Sequence, residues 1–187
     1  GFHNMMNALA AIAVSLKVGV SLRKCAEALE TFEGIHRRHQ ILGTFHGVTV
    51  VDDFAHNPAK IAASIRAAQD FTRGRVIAYF QPHGFGPTRF LRNDLVDAIS
   101  RTLRSQDAIF LSEIYYAGGT VTRDISSADL VEDLKRKNAT AYFVSNRDEC
   151  GREMVRFSAS GDTILIMGAR DPSLSEFSKT VAKELEK

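Results

Sequence analysis

Two adjacent carboxylates, Asp52 and Asp53, close the apolar run "VTVV", and Phe54, His56 and Pro58 follow directly. Carboxylates accept hydrogen bonds from hydroxyls or a protonated amine, and an imidazole beside them gives or takes a proton near neutral pH. The cluster has the groups to hold a ribose diol or a cationic substrate, with His56 as a further donor or acceptor. One aspartate could instead do no more than cap the helix that Pro58 opens. Two like charges side by side favour a cationic or hydroxyl partner, so the binding reading outweighs capping. Neighbours on a strand point to opposite faces, which counts against both carboxylates holding one ion; no metal ligand is assigned.

Three further stretches combine polar groups with glycine. In "QPHGFGPTR" (81–89), His83 sits in what reads as a stiff, open loop whose backbone amides can face an anion ahead of the next helix. "MGARDPSLSEF" (167–177) presents Arg170 and Asp171 as exposed, and Ser173 as either a helix cap or a site residue. "SEIYYAGG" (112–119) offers Tyr115 and Tyr116 to line a pocket or to cover a sheet edge. Arg37 and Arg38 have the forked geometry that grips phosphate, although spacing alone favours an ordinary solvated pair. Neither G-x-x-x-x-G-K-[ST] nor G-x-G-x-x-G after a strand occurs, so the chain has no triphosphate cradle of its own.

Regular alternation must position these residues. Helices are expected over 58–71, 89–104, 126–137, 147–158 and 173–186, with strands at 75–80, 108–112, 140–144 and 163–168 between them. Such βαβ units predict an α/β fold, a doubly wound, mostly parallel sheet with helices on both faces, whose ligands gather at the carboxyl ends of the strands. Ahead of them, "HRRHQILGTFHGVTVVDD" reads as two strands around His46-Gly47. Earlier still lies a short helical segment: a buried helix from Asn4 to Leu16, and a second one capped by Ser21 and stopped at Gly34. The boundary falls near 33 to 36.

Composition narrows the partners. A net charge of +2 gives no argument for nucleic acid, and no apolar run approaches a membrane span. Cys25 and Cys150 form neither a CxxC pair nor a zinc spacing, which fits a reducing cytoplasm. The start at "GFHN" reads as a cut end, as expected of a piece of a longer protein.

Taken in order, "GFHNMMNALAAIAV", "FEGIHRRHQILG", "VTVVDDFAHNP", "YFQPHGFGPTR", "SEIYYAGG" and "MGARD" resemble the C-terminal part of the Mur ligases, the ATP-dependent amino-acid ligases of peptidoglycan precursor synthesis. Within that family the likeness is greatest to the branch that joins L-alanine to UDP-N-acetylmuramate; the branch that attaches a recycled tripeptide is the runner-up. Folylpolyglutamate synthase shares the architecture with less likeness in these stretches, and a free-standing Rossmann-like binding module is the non-enzyme alternative. The resemblance implies that residues 1–33 end a truncated central ATPase domain and that 34–187 form the Rossmann-like C-terminal domain. It implies ATP and Mg2+, both held mainly by the central domain, a UDP-muramoyl substrate, and an amino acid or peptide.

By the same resemblance His3 and Asn7 approach adenine, Arg38 reaches nucleotide phosphates, and Asp53 holds the ATP ribose. Phe54, in place of a more usual tyrosine, and His56 lie near the amino-acid site, His56 as the catalytic candidate; His83 and Ser173 contact substrate. Gly84 and Pro87 stand where the alanine-adding branch has two arginines that hold the muramoyl substrate, and Arg89 is a partial substitute. The implied chemistry passes through an acyl phosphate that the incoming amine attacks. This chain alone is expected to be inactive.

Overall fold

The computed structural model describes every residue except Gly1, Ala117 and Gly119, and for Phe2 and His3 the backbone alone. Contacts divide the chain into residues 1–36 and 37–187.

The first unit holds α1 (Phe2–Lys17) and α2 (Leu22–Glu30). Ser21 caps α2, accepting the Lys24 N–H at 3.4 Å. The expected buried helix forms but is not buried. Met5, Met6, Leu9, Val14 and Leu16 are exposed, and Cys25 is the one buried side chain among residues 4–36. Two helices offer too little surface to enclose an apolar run on both sides.

The second unit opens with β1 (Gln40–Phe45) and β2 (Val48–Asp53), paired antiparallel. Their turn, His46-Gly47, has φ 48° and 82°, the left-handed pair that matches hairpin twist. A Cβ on Gly47 would collide with Ser160, so glycine is required there. Alternation follows: α3 (Pro58–Gln69), β3 (Val76–Gln81), α4 (Phe85–Thr102), β4 (Ala108–Leu111), α5 (Ser127–Arg136), β5 (Ala141–Phe143), α6 (Arg147–Phe157), β6 (Thr163–Gly168) and α7 (Leu174–Leu185). The sheet order is β1-β2-β6-β3-β4-β5, and every pairing after the hairpin is parallel.

The strand that comes last in sequence thus lies between β2 and β3. All six positions of both β3 and β6 are buried, as continuous apolar runs in a two-sided sheet require. Val51, Ala78 and Leu165 face a core shared with α3, α4 and α5; Val50, Tyr79 and Ile166 face another shared with α6 and α7. Each fully buried aliphatic side chain contributes about 1.5–3 kcal/mol. Cys150 belongs to the second core, where burial pushes its thiol up to about 12 and leaves it inert.

One boundary differs by four residues. Helix α4 starts at Phe85, not 89, so the expected open loop shrinks to residues 82–84. Gly84 (φ 72°) is its cap, and Pro87 fits the first turn, where a missing N–H costs nothing. Among the described residues no helix is long and apolar enough to cross a membrane.

Candidate functional site

Because β2, β6 and β3 are adjacent and parallel, the loops that leave their carboxyl ends converge. Between them is a cavity of about 530 Å³ lined by Arg37, Phe54, His56, His83, Ala169, Arg170, Asp171 and Pro172. Its size is that of an ordinary small-ligand site.

Arg37 is buried and ties the rim together. Its Nε donates to Asp52 Oδ1 at 3.2 Å and its Nη2 to Gly168 O at 2.9 Å, while its own carbonyl accepts the Phe54 N–H at 2.8 Å. The expected solvated arginine pair is therefore half wrong: Arg37 is a buried strut, and Arg38 alone is exposed. The two guanidinium carbons lie 5.2 and 5.3 Å from the Phe54 ring centroid, so one aromatic carries both cations.

Neither aspartate caps α3. Asn57 does, accepting the Lys60 N–H at 2.9 Å, with Pro58 behind it. Asp52 is the buried partner of Arg37. Asp53 folds back on the chain: Oδ1 accepts the Ala55 N–H at 2.7 Å, Oδ2 lies 3.7 Å from His39 Nδ1, and the residue is outside the cavity lining.

His56 Nδ1 lies 2.8 Å from the Phe54 carbonyl. A carbonyl only accepts, so Nδ1 carries the proton and the neutral ring keeps its lone pair on Nε2. The ring centroids of His56 and His83 are 5.7 Å apart. Burial first, then the His56 ring and the Arg170 guanidinium, hold His83 below the usual histidine range, and its Nδ1 is buried with no protein partner. Its backbone is fixed by a bridge to Tyr115, which donates its N–H to Pro82 O at 2.8 Å and accepts that of Gly84 at 2.9 Å. Tyr115 supports the rim rather than lining the cavity. Tyr116 packs on Phe85, with the Arg123 guanidinium over its ring.

The third wall is the turn after β6. Gly168 is needed there for close approach, since a Cβ would sit 2.8 Å from Leu174 Cδ1. Asp171, expected exposed, is buried: it pairs with Arg147 Nη1 at 2.6 Å and accepts the Ser173 hydroxyl at 2.5 Å and its N–H at 2.9 Å. Ser173 makes no cap bond to α7 and lies outside the lining. Arg147, which no sequence pattern singled out, acts from the start of α6. Arg170 stays exposed in a left-handed conformation (φ 69°).

The structure thus brings Phe54, His56 and His83 together and leaves Arg38, Asp53 and Ser173 outside the lining. Asn7 is exposed on α1, and the His3 side chain lies outside the described residues. Arg89, the suggested substitute cation, is committed to Asp124 and the Thr122 carbonyl.

A family model described as Mur ligase, glutamate ligase domain, matches residues 37–170. The UDP-N-acetylmuramate–L-alanine ligase of Lachnospira eligens is 38% identical over 171 residues, 91% of this chain and 36% of that protein. Its counterpart from Caldanaerobacter subterraneus subsp. tengcongensis is 36% identical over 169 residues, 90% and 36% of the two. The crystal structure of UDP-N-acetylmuramate-alanine ligase from Thermotoga maritima superposes with a TM-score of 0.77 at 28% identity, covering 98% of this chain and 38% of that one. The chain therefore spans little more than a third of the length of the relatives it matches.

Proposed function

The chain belongs to the Mur ligase family, and from that premise we propose that it forms the carboxyl-terminal part of the active site of an ATP-dependent ligase of peptidoglycan precursor synthesis. L-alanine and UDP-N-acetylmuramate, named by the relatives, are the proposed substrates. The observation that carries this reading is the pair His56 and His83 facing one cavity at the ends of β2 and β3.

In this reading ATP phosphorylates the carboxylate of the UDP-muramoyl substrate. The amine of the amino acid then attacks the acyl carbon, inorganic phosphate leaves, and the nitrogen loses a proton. His56 is the proposed acceptor of that proton: the Phe54 carbonyl fixes Nδ1–H and leaves Nε2 as the base. Phe54 holds this ring edge-on at 5.5 Å. His83, kept below the ordinary histidine range, stays neutral at physiological pH and does not compete for the charge. Ser173 enters through Asp171, whose carboxylate it holds at the cavity wall.

Arg38, exposed beside Phe54, is the proposed phosphate contact. Asp53 is the proposed ribose acceptor, since a carboxylate has lone pairs beyond the one that Ala55 takes. Asp53→Ala in the full-length parent should raise KM for ATP roughly tenfold, the worth of one charge-assisted hydrogen bond; an unchanged KM removes the assignment. Magnesium supplies charge neutralisation on the phosphates. Among the described residues no group of three or more His, Cys, Asp or Glu is placed to hold a metal ion, so no residue here is assigned to it.

Residues 1–33 are read as the end of the central ATPase domain, where His3 and Asn7 would meet adenine. Ligation and tight ATP binding are expected to need that domain, and the parent is placed in the cytoplasm. Gly84 and Pro87 form the start of α4 and bring no charge, which keeps a tripeptide as the second acceptor to test. The parent should release phosphate with ATP, UDP-N-acetylmuramate and L-alanine, less with the tripeptide; phosphate release with neither ends the reading.

A further inference from the structure

The charges around the cavity do not cancel. Arg37 is matched by Asp52, and Asp171 by Arg147. Arg170 lines the same cavity and takes part in no ion pair or side-chain hydrogen bond with the described residues. Among the lining residues one positive charge is left over; Arg38, also exposed, stands outside the lining. Its residue also holds a left-handed φ of 69°, which a side chain with a Cβ adopts at a cost. An unpaired guanidinium on a strained turn at a cavity mouth is hard to explain by packing, because the side chain is exposed.

We propose that Arg170 determines specificity by receiving a substrate carboxylate, an inference that rests on the ligase reading above. A single free guanidinium matches a monoanion, and its fork fits the two oxygens of a carboxylate. His56 lines the same cavity and its Nε2 is the proposed base, so a carboxylate on Arg170 and an amine near His56 would orient an amino acid. Arg170 then supplies, from the turn after β6, positive charge that the start of α4 lacks at Gly84 and Pro87.

The test is an NMR titration of this chain with L-alanine, L-alaninamide and UDP-N-acetylmuramate, followed at the Arg170 side chain and the His83 ring. L-alanine should give saturable shifts that the amide does not; shifts from the UDP compound alone would assign the same contact to the muramoyl carboxylate instead. Arg170→Gln should weaken binding about ten- to a hundredfold, and Arg170→Lys should recover part of it. Arg170→Gly, which relieves the turn, should lose binding while the melting temperature holds. No shift with either carboxylate, or equal shifts in Arg170→Gln, overturns the inference. Binding that depends on Arg170 in a parent that ligates nothing would sink the ligase reading and keep this one; ligation with KM values untouched by Arg170→Gln would do the reverse.

Discussion

Residues 1–36 and residues 37–187 use similar apolar sequence to opposite ends. In the first region Met5, Leu9 and Val14 are 53, 52 and 66% exposed; in the second Ile164, Leu165, Ile166 and Met167 are at 0%. Both regions have runs that a pattern reader would bury. The difference is the number of layers: a six-stranded sheet with helices on each face closes over its own core, and two short helices do not. Apolar periodicity says which residues favour burial, and the surrounding architecture decides whether they obtain it. In the proposed parent, the central domain would cover α1.

The comparison makes its largest claim at β6. Ile166→Ala should lower the unfolding free energy by about 2–5 kcal/mol in urea denaturation, since the side chain touches close-packed neighbours throughout. A cost under about 1 kcal/mol would break the contrast. Next comes Asp107, buried at the base of the sheet, where it accepts from Val76 N–H at 2.8 Å, Gln69 Nε2 at 2.8 Å and Arg104. Burial alone would push its carboxyl up, but the Arg104 guanidinium and these donors outweigh it and hold it below the usual aspartate range. Asp107→Ala should cost about 3 kcal/mol by stranding those donors. A depressed folded pKa stabilises above the unfolded value and loses that stabilisation as pH falls through the folded one. The native chain should therefore weaken below about pH 4, and the variant should lack that component of acid sensitivity in thermal scans from pH 7 to 2. Smallest is Leu9→Ala, which should change stability by no more than about 0.5 kcal/mol in this chain. A larger loss would show that the first region is covered after all.

The alternation of strands and helices is legible because each buried strand is a short apolar run between amphipathic segments. The start of α4 was not, since Gly84, Gly86 and Pro87 signal a loop unless one sees that a first helical turn tolerates both residue types. His56 and His83 could be placed at strand ends from the chain alone, whereas their meeting depends on β6 separating β2 from β3, an order that no local pattern encodes. The burial of Arg37 and Asp171 is hidden from local pattern for a related reason. Their partners, Asp52 and Arg147, lie 15 and 24 residues away, so burial of each charge depends on tertiary pairing.

Placing the final strand at the centre also sets the timing of assembly. A chain leaving the ribosome presents β1 and β2 as one piece and β3 to β5 as another, each with a raw edge, and neither can join the other until residues 163–168 emerge. Long-range pairing of this kind slows folding and leaves unpaired backbone open to wrong partners meanwhile. Truncation a few dozen residues from the end would therefore yield two sticky halves instead of a slightly smaller domain, and no ligand cavity at all.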